Sequence, residues 1–150
     1  MLTRISGIGQ TEVAALAGQL RDDIAAAGGG AVIRLYDNNI TPGPLTRVAD
    51  FHQCTFTGYA PSPVFGMNSW LVREVNGYLV YDGLLTGFSM TGGTPPGNIY
   101  GWYITDTTVG NVLYAWGRFD TPKQLLAAGD VIVFDTEVVV ALDTGRSILF

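Results

Sequence analysis

Apolar residues recur along this chain at two different spacings, and the change from one to the other divides it. From 11 to 27, Val13, Leu16, Ala17, Leu20, Ile24 and Ala27 fall on one helical face, with Glu12, Gln19, Arg21 and Asp22 on the other. This predicts one amphipathic helix. Thr11 suits its N-cap, Glu12 places negative charge in its first turn, and Gly28, Gly29 and Gly30 supply the left-handed stop that other residues resist. Residues 1 to 10 have no strong pattern and read as an arm that orders against a partner.

After Gly30 the period becomes two. Strands are predicted at 31–36, 52–57, 64–74, 78–82, 84–90, 99–105, 111–118, 131–134 and 136–142, with a further short one at 147–149. Turn signals separate them: Asp37-Asn38-Asn39, Pro42-Gly43-Pro44, Asn76-Gly77, Asp82-Gly83, the glycine- and proline-rich 91–97, and Gly129-Asp130. Asn76-Gly77 is the strongest hairpin signal, because both residues accept the positive φ of a type I′ turn. Residues 121–128, opened by Pro122, read as a short helical turn. Many short strands without helices between them exclude a parallel α/β fold. The expected class is mainly β, an antiparallel two-sheet sandwich or jelly roll with one N-terminal helix. The expected organisation is an arm and helix over 1–30 followed by a β domain over 31–150.

Composition narrows the function. With 47% hydrophobic and 14% charged residues, the 150-residue chain has enough apolar side chains for one packed core and is not a disordered polymer. The formal charge of -5 repels phosphate backbones and anionic lipid, so neither nucleic acid nor membrane is an expected partner. The sequence carries no signal-type apolar stretch near Met1 and no run long enough to span a bilayer, so synthesis and folding in a cytoplasm are expected. Cys54 is the only cysteine, which excludes an intrachain disulfide.

The chemistry-bearing residues do not assemble into a motif. His52 is the single histidine, and no nucleophile elbow accompanies it. In a regular strand His52 and Cys54 would face the same side, but Cys54 beside Phe56 reads better as a small core residue. The carboxylates fall mostly in turns and at strand ends, and nothing selects a catalytic pair. Asp37-Asn38-Asn39 lacks the spaced ligands of a calcium loop. No catalytic centre, cofactor or metal site is therefore expected. Aromatic residues gather in 99–119, where alternation puts Tyr100 and Trp102 on one face and Tyr103 on the other. Tyr114, Trp116 and Phe119 follow in the next strand. A thin sandwich hardly buries two such sets, so one face, with Tyr100, Trp102 and Trp116, is a candidate contact surface for protein or for a sugar. Leu16 and Leu20 of the helix are the second candidate interface.

Two stretches carry a family resemblance. Residues 31–61, AVIRLYDNNITPGPLTRVADFHQCTFTGYAP, combine an Arg-Leu-aromatic strand, an Asn-Asn and Thr-Pro turn and a Thr-Phe-Thr-Gly-Tyr strand end. Residues 101–119, GWYITDTTVGNVLYAWGRF, lead to the Pro122 turn and Gly129-Asp130. Together they resemble small virion structural proteins of tailed bacteriophages, although Cys54 stands where that pattern has a polar residue and 64–98 adds nothing to the likeness. The resemblance implies a capsid cement or decoration protein on the outer surface of an icosahedral head. It would bind the major capsid protein and associate as a homodimer or homotrimer. The alternative it leaves open is a tail or head-fibre module that binds a host-surface glycan.

Overall fold

The computed structural model describes residues 3–6, 31–63, 71–75, 78–106 and 112–143. The fold is mainly β. Its strands are β1 (Thr3–Ser6), β2 (Ala31–Tyr36), β3 (Ser62–Pro63), β4 (Leu71–Val75), β5 (Tyr78–Ser89), β6 (Asn98–Asp106), β7 (Leu113–Gln124) and β8 (Val131–Asp143), with one 3₁₀ turn at Val48–Asp50. They form two four-stranded sheets, ordered β1-β8-β5-β4 and β3-β2-β6-β7. The second is antiparallel throughout, whereas β1 joins the first by running parallel to β8, Thr3 opposite Val140 and Ser6 opposite Asp143. Within the arm read from residues 1 to 10, Thr3–Ser6 thus pairs with β8 of the same chain. The helix predicted over 11–27 and the strand at 147–149 lie outside the described residues.

Four long strands organise the rest. β5 pairs with β8 in the first sheet, and their continuations β6 and β7 pair in the second. The two arms cross between sheets together, tied by Met90 N–H to the Asp130 carbonyl (3.0 Å) and Gly129 N–H to the Met90 carbonyl (2.8 Å). Both predicted turns at these crossings, 91–97 and Gly129-Asp130, are loops, and Gly93, Gly97 and Gly129 adopt positive φ there. Val75 pairs with Tyr78, so β4 and β5 join across two residues where the Asn76-Gly77 hairpin is expected.

Several boundaries differ from the sequence reading for one shared reason: long strands absorb turn signals as irregularities. Asp82-Gly83 is no turn, since β5 runs through it with a register shift against β8 between Asp82 and Leu85. The expected pair of strands 131–134 and 136–142 is likewise one strand. The helical turn at 121–128 is replaced by β7 as far as Gln124. Pro122 is tolerated because β7 is an edge strand and because its register breaks there, Ile99 facing Lys123 while Gly101 faces Arg118. Residues 52–57 make only isolated bridges, Tyr36 with Gln53 and Thr57 with Gly92, so they close the side of the core without forming a strand.

One buried cluster joins both sheets. Ile33 and Leu35 of β2, Ile99, Trp102 and Ile104 of β6 and Ala115 of β7 meet Phe88 of β5 and Ile132 and Phe134 of β8, with Cys54, Phe56, Met90 and Leu125 filling the margins. Phe134 is its hub. It lies against Phe88 (ring centroids 6.1 Å apart, 7° between planes) and Trp102 (6.4 Å, 17°), and Phe119 meets it edge-on at 5.2 Å.

Trp102 fits because it crosses over a glycine: a Cβ on Gly117, its cross-strand neighbour, would stand 2.4 Å from Trp102 Cε2. Gly117→Ala is therefore expected to lower stability by about 1–3 kcal/mol, the usual cost of overpacking. Gly43→Ala, where a Cβ meets nothing within 4 Å, should change it by less than about 0.5 kcal/mol. Calorimetric melting of the two variants checks the contrast.

Candidate functional site

The outer face of the second sheet carries a second apolar cluster, and a loop covers it. Tyr36 of β2, Tyr103 of β6 and Phe51 are buried together, with Ile40, Val48, Tyr100, Leu113 and Trp116 packed around them. Phe51 stacks on Tyr103 (4.4 Å, 5°) and tilts against Tyr36 (5.0 Å). Residues 37–52 thus act as a third layer, which is why both aromatic sets of 99–119 can be buried where a bare sandwich would leave one outside.

Polar contacts lock that layer down. The Asn38 side chain donates to the Asp50 carbonyl (2.8 Å) and accepts from the His52 amide (2.8 Å), and Asp50 Oδ2 accepts from the Arg47 amide (2.7 Å). Arg118 of β7 reaches over to donate to the Ile40 carbonyl and to Asn39 Oδ1, while its guanidinium lies 5.2 Å from the centre of the Tyr100 ring. Arg34 holds the adjoining end by donating to Gln53 Oε1 (2.7 Å) and Thr105 Oγ1 (3.0 Å). Asp37-Asn38-Asn39 therefore serves as an anchor for the loop.

The candidate contact residues separate in space. Trp102, expected on the surface, is only 6% exposed and belongs to the inter-sheet core. Tyr100, expected beside it, packs on the opposite face with Tyr103. The cause is the register shift between Ile99 and Gly101, which resets the alternation by one residue. Trp116 is half-buried on the outer cluster with Tyr100, and Tyr114 and Phe119 pack against the inner one. Trp102 thus leaves the predicted surface, Tyr100 and Trp116 remain on a partly open one, and Leu16 and Leu20 lie outside the described residues.

His52 and Cys54 separate too. The His52 side chain is 71% exposed and its Nδ1 contacts Asp37 Oδ1, whereas Cys54 is fully buried with its amide donating to the Leu35 carbonyl (3.0 Å). Because 52–57 is not a regular strand, the shared side expected for the two residues does not arise. Burial, reinforced by the Asp37 charge, pushes the Cys54 thiol up to about 12, so at neutral pH it is protonated and a poor nucleophile. Burial also raises Tyr103 to about 12, and it raises Tyr59, whose hydroxyl accepts from the Leu35 amide (3.1 Å). Among the described residues, no group of three or more His, Cys, Asp or Glu is placed to hold a metal ion. Comparison with protein-family models, curated proteins and solved structures gives no match.

Native protein at pH 8 should resist alkylation at Cys54 and react only once unfolded; rapid stoichiometric labelling would contradict its burial. Cys54 and Tyr103 hold their protons more tightly when folded, burial pushing each from its ordinary value, 9.0 and 10.0, up to about 12. Their contribution to stability is complete below pH 9 and is lost as pH rises through 12. Denaturant midpoints should accordingly fall between pH 9 and 12, less steeply in Cys54→Ala.

Proposed function

We propose that this chain is a non-enzymatic structural protein of a virion, a cement or decoration protein that binds the major capsid protein on the head surface as a homodimer or homotrimer. One observation carries the reading. The two stretches that bear the resemblance, 31–61 and 101–119, are distant in sequence but build one unit: β2 and its covering loop come from the first, and most of β6 and the start of β7 from the second. A likeness spread over unrelated surfaces would have little meaning. One confined to a single layered sheet is what an inherited module would look like.

The shared core supports a face-to-face sandwich, and the rolled β5–β8 and β6–β7 arms support jelly-roll winding, from which the parallel β1 departs. Acidic net charge suits an outer surface in contact with solvent. The glycan reading loses its central ring with Trp102 in the core, and no other observation favours it over protein contact.

Capsids assembled without the chain should form normally but rupture at lower temperature than complete ones, with resistance restored by adding the purified protein. Equal heat resistance with and without it would reject the cement role.

A further inference from the structure

The margins of the two sheets are treated very differently. At the edge of the second, β7 carries Pro122, Lys123 and a register break, all of which blunt pairing with another chain. On the outer side of β8 in the first sheet, β1 covers only Val140–Asp143, and no described strand pairs with β8 over Val131–Val139. That stretch reads VIVFDTEVV, with no proline, glycine or lysine, and its register against β5 is unbroken from Val131 to Asp135. It is a β-branched edge of the kind that accepts an added strand, and its one irregularity against β5 is the register shift between Asp82 and Leu85, opposite Glu137 and Asp135.

Side chains along the edge define what would fit. Val131 and Val133 point outward at 51% and 50% exposure, with Asp135 exposed beyond them, while Ile132, Phe134 and Thr136 point into the core. The Thr136 hydroxyl is buried without a hydrogen-bond partner. The carboxylate of nearby Asp130 is already spent, accepting from the Leu126 (2.7 Å) and Ala127 (3.0 Å) amides. Self-pairing of two β8 edges is disfavoured, since the open stretch holds Asp135 and Glu137 and no cation, and two copies would bring four carboxylates together.

From this we infer that the open edge of β8 docks an extended segment of a partner protein, added to the sheet as a further strand beside Val131–Val139. The segment is basic on its outward side, opposite Asp135, and apolar on its inward side, with a hydroxyl or amide beside Thr136 to complete its hydrogen bonding. β1 shows that this edge already takes a strand at its far end. The inference does not depend on the partner being a capsid protein.

Amide hydrogen exchange on the full chain, with and without synthetic peptides of matching length, tests it. The probe alternates lysine outward with valine and threonine inward; its control replaces lysine by glutamate. In free protein, alternate amides of 131–139 should exchange fast while their neighbours bonded to β5 are protected, and the lysine peptide should slow the fast set. Asp135→Lys, at an exposed position the fold tolerates, should weaken that binding about tenfold and favour the glutamate peptide. Slow exchange throughout 131–139 in free protein, equal binding of both peptides, or binding of neither would each overturn the proposal.

Discussion

Phe134 is the residue on which the two sheets close. It stands on β8, takes Phe88 from its own sheet and Trp102 from the other, and is capped at the side by Phe119. Burial of three large rings against it contributes apolar area to the shared core, at roughly 25 cal/mol per Å². The arrangement is possible only because Gly117 leaves its place to the Trp102 indole and because a Cβ on Gly101 would collide with the Gly117 carbonyl at 2.1 Å. Close backbone approach and large-ring packing are thus one constraint seen from two sides.

The same constraint gives the molecule its layers. With Trp102 turned inward, Tyr103 must turn outward, and the covering loop 37–52 exists to bury it. Phe51 supplies the stacking partner, and Arg118, Asn38 and Asp50 fix the loop by hydrogen bonds. His52 and Cys54 sit where the chain passes from this loop to the core margin, which explains why adjacent chemistry in sequence ends on opposite sides of the surface. Among the described residues the outer edge of β8 over Val131–Val139 is left without a strand, and a protein whose regular surfaces are used for cohesion offers such an edge as a point of attachment.

How much of this was legible can be judged from particular elements. β2 is readable to the residue, because Ala31–Tyr36 is a short apolar run broken only by Arg34 and bounded by glycines on one side and an Asp-Asn-Asn turn on the other. The β4–β5 hairpin was readable from Asn76-Gly77. Asp82-Gly83 and Pro122 mislead, since a local turn signal cannot reveal that long-range pairing overrides it and stores it as a register irregularity. The face of Tyr100 was lost for the same reason: period two holds only between register shifts, and the shift at Ile99 is set by the partner strand. The burial of both aromatic sets was not legible at all, because the loop that covers one of them has no periodicity of its own.

The closure of the sheets on Phe134 is tested most directly by nuclear Overhauser contacts in solution. Ring protons of Trp102 should show cross-peaks to those of Phe134, and the Trp102 indole N–H should exchange slowly with solvent. A freely exchanging Trp102 indole without contacts to Phe134 would contradict the shared core and the layering built on it.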